Sequence, residues 1–293
     1  MNFEDFAFDP RISAGIKSLG YTTPTPIQQQ AIPVVLEGRD VLGTAQTGTG
    51  KTAAFVLPIL QRLTKGPLRQ VRALIVAPTR ELAEQIHQAS VDLGKYTRVR
   101  SVTVYGGVSK SRQVEALRRG AEIVVACPGR LLDLANDRCI DLSRVEVLVL
   151  DEADRMCDMG FLPDIRRILK LVPARRQTLF FAATMPEDIR ELADSILKDP
   201  VAVQIGLIAP AKTVSHALYP VSQGLKKKLL LAILEQTATG RVLVFTRNKY
   251  RARNLARDQE KRRYRVAALQ GNMSQNRRQE PINGYRDGTY DNL

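Results

Sequence analysis

Short runs of β-branched and apolar residues recur in the first two thirds of the chain, separated by stretches with helical periodicity. The runs are DVLGTA (40–45), RALIVA (72–77), RSVTVYG (100–106), AEIVVA (121–126), VEVLVL (145–150) and QTLFFAAT (177–184). Near-continuous apolar runs are typical of parallel strands buried on both faces. The segments between them, such as 80–95, are long enough for helical crossovers. The pattern predicts an α/β fold in which a parallel sheet carries helices on both faces.

This alternation lapses around residues 205–215, and a second α/β unit follows. We therefore expect a first domain over 1–205, a linker over 206–214 and a second domain over 215–293. The second unit offers three strand-like runs, VSHALYPV (214–221), RVLVFTR (241–247) and YRVAALQ (264–270). Three strands are few for an independent parallel sheet, so the second domain is expected to be partial.

The charge of the chain is concentrated in its second part. Residues 1–208 carry 27 Lys and Arg against 24 Asp and Glu, whereas residues 209–293 carry 17 against 6. Such an excess favours an anionic partner, although charge alone does not separate nucleic acid from a membrane surface. No apolar run approaches the ~20 residues needed to span a bilayer, and the three cysteines form no CxxC pair. These features predict a cytoplasmic protein without a zinc or disulfide framework.

The segment AQTGTGKT (45–52) follows a predicted strand and opens a predicted helix. Backbone N–H groups and the helix dipole attract phosphate at such a point. Gly48 and Gly50 permit a tight path, Lys51 reaches the β and γ phosphates, and Thr52 places a hydroxyl on Mg²⁺. A chance glycine-rich turn is the alternative. The predicted nucleotide loop comprises Ala45, Gln46, Thr47, Gly48, Thr49, Gly50, Lys51 and Thr52.

The segment VLVLDEAD (147–154) ends a buried strand with three carboxylates. Open α/β sheets bind their ligands at this end of the strands. Asp151 is predicted to hold Mg²⁺, usually through water, and Glu152 to orient or deprotonate an attacking water. Alone, such a group is also typical of an acidic helix N-terminus, and the upstream loop argues against that alternative.

Six segments in this order closely resemble the DEAD-box ATP-dependent RNA helicases over essentially the whole chain. They are GYTTPTPIQ (20–28), AQTGTGKT, PTREL (78–82), GG (106–107), DEAD (151–154) and AAT (182–184). The resemblance implies a RecA-like P-loop domain followed by a partial second RecA-like domain. It also implies ATP and Mg²⁺ as cofactors, RNA as partner, and ATP hydrolysis coupled to local duplex opening. Ala45 is usual at that position in the family.

The resemblance assigns roles to individual residues. Gln28 is expected to read the adenine edge, which suits an amide that donates and accepts at once, while Tyr21 packs near the base and Phe3 supports it. The implied catalytic residues are Lys51, Thr52, Asp151, Glu152, Asp154 and Thr184, with Thr52 and Asp151 at the metal.

The implied RNA contacts grip the sugar-phosphate backbone without reading sequence. They are Pro78, Thr79, Arg80, Gly106, Gly107, Pro128, Gly129, Arg130, Phe245, Thr246 and Arg247. Gln275 and Arg278 match a further QxxR element, and ten basic residues between Arg241 and Arg265 predict a positive face. Each element alone is more often an ordinary loop or a salt-bridged arginine. His87 and His216 are interpreted as ordinary structural residues.

Three features depart from the family pattern, and a proline also interrupts a helical pattern. Ala182 replaces a serine that bonds the last carboxylate, Asp154, so weaker coupling of hydrolysis to strand separation is expected. Cys127 replaces a threonine, a better phosphate donor, and predicts modestly weaker RNA binding.

Pro281 interrupts a helical pattern at a cost of about 3 kcal/mol. The family's arginine fingers belong beyond Leu293, so ATP binding with poor turnover is expected. The alternatives are a non-catalytic ATP-responsive RNA-binding module and a different P-loop ATPase; the Gln28 segment and PTREL disfavour the latter.

Overall fold

The computed structural model describes residues 1–46, 48–205, 215, 217–236, 240–273 and 275–293. These residues form two compact units, Met1–Ala211 and Lys212–Leu293. The predicted linker, 206–214, lies outside the described residues. Within the described part of the chain, no helix has both the length and the apolar character needed to cross a bilayer.

The first unit is built on a seven-stranded parallel sheet. Its strands are β1 (Val41–Thr44), β2 (Ala73–Val76), β3 (Ser101–Val104), β4 (Ile123–Ala126), β5 (Val147–Leu150), β6 (Gln177–Ala182) and β7 (Val201–Gln204). Their order across the sheet is β3-β4-β2-β5-β6-β1-β7. All six predicted runs are strands, and their ladders are parallel. β7 was not predicted, because its four residues are only partly buried and lack a continuous apolar run.

Helices connect these strands. After a 3₁₀ helix at Phe3–Phe6 come α1 (Pro10–Ser18), α2 (Pro26–Leu36), α3 (Lys51–Leu63), α4 (Arg80–Leu93), α5 (Lys110–Arg118), α6 (Pro128–Asn136), α7 (Ala153–Asp158), α8 (Leu162–Leu169) and α9 (Glu187–Ile196). Proline at the first helical position starts α1, α2 and α6, where its fixed φ suits the helix and its missing N–H costs nothing.

Alternate residues of the strands enter two separate apolar cores. Ile75 and Val149 face the core formed with α1 to α4, whereas Leu74 and Leu148 face the core formed with α6 to α9. Because successive side chains of a strand point to opposite faces, the sheet is covered on both sides. The predicted α/β class, with helices on both faces, is confirmed.

Among its described residues, the second unit contains the helices α10 (Lys226–Gln236), α11 (Lys249–Glu260) and α12 (Gln275–Asp287). They match the helix-like stretches LKKKLLLAILEQ (225–236), NKYRARNLARDQEK (248–261) and SQNRRQEPINGYRDG (274–288) that the sequence predicts. α12 runs through Pro281, so the expected interruption does not end the helix there.

The strands predicted in the second unit are mostly wrong. Among the described residues, the runs at 241–247 and 264–270 form only single parallel bridges, from Val242 and Val266 to Asn292, and the described part of 214–221 contains no strand. The segment 291–293 lies between the two runs and pairs with both of them. Its hydrogen bonds include Val244 N–H to Leu293 O and Ala267 N–H to Asn292 O, at 2.8 and 3.0 Å.

Candidate functional site

Three neighbouring strands bring the predicted nucleotide residues to one edge of the sheet. β5, β6 and β1 lie side by side, and their carboxyl ends lead into Asp151, Thr184 and the glycine-rich loop. Loops from adjacent parallel strands meet at such an edge, which is where ligands bind in open α/β sheets.

The loop after β1 curls around the side chain of Lys51. Gly48 and Gly50 have φ values of +88° and +92°, a left-handed conformation that favours glycine. The Lys51 Nζ donates to the Ala45 carbonyl at 2.8 Å, and Lys51 is only 6 % exposed. Since α3 begins at Lys51, its free N–H groups and dipole also face the loop. The arrangement is a cradle for an anion.

The remaining loop residues stabilise that path. Ala45 is buried and donates its N–H to Ala182 O at 3.2 Å; its φ is not positive, so a side chain is tolerated there. Thr49 Oγ1 donates to Gln46 O at 2.8 Å, and Thr52 is partly buried in the first turn of α3. Thr47 lies outside the described residues.

Gln28 connects the start of α2 to this loop. Its Oε1 accepts from Thr25 N–H and its Nε2 donates to Gly50 O, each at 3.0 Å. The side chain is almost fully buried. Both ends of the amide therefore hydrogen-bond to the protein's own backbone. Recognition of adenine by Gln28 stays a prediction.

Phe3 and Tyr21 lie against each other, and the packing of Tyr21 near an adenine base stays a prediction. Their ring centroids lie 6.2 Å apart, with Phe3 buried and Tyr21 43 % exposed. Both rings line a depression of about 390 Å³ together with Lys17 and Thr23. An exposed ring on a buried support offers a surface on which a flat group can stack.

The first two carboxylates after β5 are buried. Asp151 is 2 % exposed and accepts from the Glu152 N–H at 3.0 Å. Burial raises the pKa of Asp151 to about 6, although the Lys51 charge opposes this rise. Glu152 adopts a left-handed φ of +51°, and its Oε2 pairs with Arg155 Nη1 at 3.1 Å. Arg155 was not predicted, because only the helical turn brings it beside Glu152.

These groups suit a magnesium ion but do not enclose one. Asp151 is an oxygen ligand whose burial disfavours an uncompensated charge, and Thr52 can add a hydroxyl. Within the described ranges, no group of three or more His, Cys, Asp and Glu side chains converges to hold a metal. Mg²⁺ usually keeps several waters and phosphate oxygens as ligands, so a site with few protein ligands fits it.

Asp154 is held by Thr184, which lies two residues after β6 and is a predicted catalytic residue. Its Oδ2 accepts from the Thr184 N–H at 2.8 Å and from Thr184 Oγ1 at 2.9 Å. Ala182 is the buried last residue of β6. Ala182 removes the serine hydroxyl, but Asp154 still has the hydroxyl of Thr184 as a partner. The expected weaker coupling of hydrolysis to strand separation stays a prediction.

The candidate RNA residues lie at the ends of β2, β3 and β4. Thr79 caps α4 by accepting from Leu82 N–H at 3.3 Å, and Pro78 is buried. The Arg80 guanidinium packs on the backbone of Gly106 and Gly107: a Cβ built on Gly107 would lie 2.1 Å from Arg80 Nη1. The structure thus joins PTREL to the glycine pair, which are separated in sequence.

Arg130 is the salt-bridged arginine that the sequence offered as an alternative. Its Nε lies 3.4 Å from an Asp133 oxygen, and its Nη1 donates to Val108 O and Gln113 Oε1 at 3.3 and 3.4 Å. Gln113 was not predicted. Arg130 therefore holds the loop after Gly107 in place, and its contact with RNA stays a prediction.

At the start of α6, Cys127 occupies the N-cap position without a side-chain hydrogen bond to the helix. Burial raises the pKa of its thiol to about 12. Pro128 is buried, and Gly129 has open space around its Cα.

In the second unit, Phe245 is 87 % exposed, Arg247 is exposed, and Thr246 Oγ1 donates to Asn248 O at 3.1 Å. Part of the basic run is neutralised: Lys227 pairs with Asp258, and Arg265 pairs with Asp291 at 2.5 Å.

The remaining predicted residues are Gln275, Arg278, His216 and His87. The Gln275 side chain and His216 lie outside the described residues, and Arg278 is partly buried. His87 Nδ1 lies 3.0 Å from Ser101 Oγ inside the first unit. This environment fits the structural role predicted for His87.

Comparison with known proteins agrees with these motifs. The DEAD/DEAH box helicase profile matches residues 25–192, and the profile of the helicase conserved C-terminal domain matches residues 225–293. The chain is 40 % identical over 293 residues to the DEAD-box ATP-dependent RNA helicase RhpA of Helicobacter pylori. It is 40 % identical over 292 residues to the ATP-dependent RNA helicase CshA of Listeria monocytogenes, and 39 % identical over 327 aligned residues to the probable ATP-dependent RNA helicase DDX23 of Homo sapiens.

The alignment with RhpA covers all of this chain and 59 % of RhpA. The alignment with CshA covers 99 % of this chain and 56 % of CshA, and the alignment with DDX23 covers all of this chain and 40 % of DDX23. The chain thus spans roughly half the length of these proteins. A P-loop ATPase of another kind is excluded by the profile match. With the nucleotide loop, the acidic motif and the profile in agreement, the chain belongs to the DEAD/DEAH box helicase family.

Proposed function

We propose that this chain binds ATP with Mg²⁺ together with RNA, and couples RNA-dependent ATP hydrolysis to local opening of RNA duplexes. One observation carries the proposal. The buried Lys51 ammonium, the buried Asp151 carboxylate and the Asp154–Thr184 pair lie at the ends of three adjacent strands. The names of the relatives support the same activity.

The phosphate loop supplies binding energy and orientation. Lys51 is already desolvated against Ala45 O, so it can exchange that carbonyl for phosphate oxygens with little rearrangement. Thr52 and Asp151 would hold Mg²⁺, which when bound neutralises charge on the phosphates. Glu152 orients or deprotonates the attacking water. For Gln28 to bind adenine, its amide has to leave at least one of its two backbone partners.

RNA binding is proposed to use the strand ends beside this site. Arg80 and the Gly106–Gly107 backbone form one continuous surface, and the partly buried N-terminal turns of α4 and α6 add N–H groups that suit phosphates. Phe245, Thr246 and Arg247 supply the corresponding contacts of the second unit. Because these groups bind backbone phosphates, we expect no sequence preference.

The second candidate is a non-catalytic module that binds RNA in response to ATP. One observation favours it: the Glu152 Oε2 proposed to act on the attacking water already pairs with Arg155 Nη1 at 3.1 Å. We expect ATP binding with slow turnover. The predicted cytoplasmic location stays a prediction.

ATPase assays with and without single-stranded RNA separate the two candidates. Glu152→Gln should retain ATP binding and lose the RNA-stimulated rate, whereas Lys51→Ala should lose ATP binding, measured with a fluorescent ATP analogue. RNA stimulation no greater than that of Glu152→Gln would reject the enzyme and leave the binding module. Undetectable nucleotide binding by the unmodified chain would reject both.

A further inference from the structure

Arginines line the amino edge of the sheet, opposite the nucleotide site. Five of the seven strands have an arginine within the three residues that precede them: Arg39 before β1, Arg72 before β2, Arg100 before β3, Arg144 before β5 and Arg176 before β6. Parallel strands bring all of these residues to one edge. The first 208 residues are nearly neutral, with 27 basic against 24 acidic residues, so this row is a local concentration of charge.

Part of this row forms a concave surface. Arg62, Arg144, Arg175 and Arg176 line a depression of about 510 Å³ whose wall includes Gly38 and Gln177; we call it the amino-edge depression. Arg144 and Arg175 are exposed, and Arg62 and Arg176 are partly buried. A simple solvated face would leave all four side chains extended into water.

The positive charge of the depression is not neutralised by the carboxylates beside it. Glu146 lines the same surface, but its two oxygens accept from Arg72 Nε and Nη2 at 2.6 and 3.2 Å. Asp40 accepts from Thr178 N–H and Lys198 N–H at 2.7 and 2.8 Å. Throughout the described ranges, the four lining arginines form no ion pair with a carboxylate.

Arg176 also has an unsatisfied donor. Its Nη1 donates to Pro173 O at 2.8 Å, while its Nε is buried without a hydrogen-bond partner. A buried donor without an acceptor costs free energy that an anionic oxygen would recover after a small shift of the side chain. Burial lowers the pKa of Arg62 and of Arg176, and the nearby charges of Glu146 and Asp40 only partly oppose this lowering.

We propose that the amino-edge depression is a second RNA site. It lies at the sheet edge opposite the nucleotide loop and binds the backbone phosphates of single-stranded RNA. The planar guanidinium fork matches phosphate geometry. An acidic protein is a poorer occupant, because the lining residues include no aromatic side chain to anchor a protein interface. The inference rests on the proposed function only in taking RNA as the ligand.

The test compares RNA of two lengths on the full chain. An RNA of about 8 nucleotides fills one site, whereas one of about 40 nucleotides reaches both edges. The variant is Arg144→Glu with Arg175→Glu, both exposed. The matched control is Arg166→Glu with Arg190→Glu, two exposed helical arginines outside the depression with the same change of charge. Affinity is measured by fluorescence anisotropy at several salt concentrations.

We expect the variant to bind long RNA at least about tenfold more weakly than the control, and its salt slope to fall by about 1.4, the value for two lost phosphate contacts. Short-RNA affinity should match that of the control. Equal loss in variant and control, or no loss, overturns the proposal. Competition by polyglutamate as effective as that by RNA assigns the depression to an acidic protein and also overturns it. If the unmodified chain does not bind short RNA, the RNA binding in the proposed function is wrong. The amino-edge depression is still tested, because it depends on the comparison of variant and control with long RNA.

Discussion

The Asp154 carboxylate accepts two hydrogen bonds from one residue, Thr184, with Oδ2 at 2.8 Å from its backbone nitrogen and 2.9 Å from its Oγ1. Asp154 follows β5 and Thr184 follows β6, and these strands pair in parallel. The bonds therefore tie the acidic motif to the end of the neighbouring strand. This is a direct route by which a change at the carboxylates reaches the segment after β6.

We predict that Thr184→Val lowers RNA-stimulated ATP hydrolysis about tenfold and leaves ATP affinity within about twofold, because a hydroxyl bond to a carboxylate is worth about 1.5 kcal/mol. Thr184→Ser keeps the hydroxyl and should stay within about twofold of the unmodified chain. Ala182→Ser should have little effect on the rate, since Thr184 already serves Asp154. Equal rates for the Val and Ser variants would show that the hydroxyl is not used.

Asp151 makes the stability of the chain depend on pH. Its pKa is raised from 3.8 to about 6, chiefly by burial. Folding therefore favours the protonated carboxyl. Its contribution to the free energy of unfolding is complete below pH 3.8 and is lost as the pH rises through about 6. We predict that Asp151→Asn becomes the more stable protein as the pH rises, by on the order of 3 kcal/mol at pH 8 and near zero at pH 4.

The measurement is urea denaturation of both proteins from pH 4 to pH 8 without Mg²⁺ or nucleotide. Comparing the two proteins at each pH cancels the titration of all other groups. A difference that stays constant with pH would show that Asp151 titrates normally.

The sequence predicts well what depends on neighbouring residues along the chain. Six strands follow from apolar runs, and the loop around Lys51 follows from its glycines. The sequence misses what depends on packing between distant segments. The contact of Arg130 with Gln113 and the hydrogen bonds from Thr184 to Asp154 join segments that are separated in sequence. The strand predictions at 241–247 and 264–270 were mostly wrong for the same reason, because β pairing depends on cross-strand neighbours as well as on apolar composition.

Cys127 is a position where a substitution should stabilise the first unit. It is the N-cap of α6, has extended backbone angles of φ −91° and ψ 143°, and makes no capping hydrogen bond. Thr in this conformation accepts from a free N–H of the first turn. We predict that Cys127→Thr raises the free energy of unfolding by about 0.5–1 kcal/mol, measured by urea denaturation. Cys127→Val has nearly the same shape without the hydroxyl, and equal stability of the two variants would rule out capping.

Gly107 couples backbone conformation to the position of Arg80. Its φ is +78°, and a Cβ at this position would lie 2.1 Å from Arg80 Nη1. Gly106 is the matched control, because its φ is not in the left-handed region and its added Cβ would meet Arg80 Nη2 at an ordinary 3.8 Å. Ala at Gly107 therefore strains the backbone and displaces the guanidinium, whereas Ala at Gly106 does neither.

We predict that Gly107→Ala lowers the free energy of unfolding by about 1–2 kcal/mol, the cost of a left-handed non-glycine residue, and weakens binding of short single-stranded RNA about tenfold by moving Arg80 away from the strand ends. ATP affinity should not change, because the phosphate loop lies on different strands. Gly106→Ala should stay within about twofold in RNA affinity and near the unmodified stability. Urea denaturation and fluorescence anisotropy measure the two effects separately. If both alanine variants bind RNA equally well, the position of Arg80 does not matter for RNA, and the contact proposed for PTREL and the glycine pair is wrong.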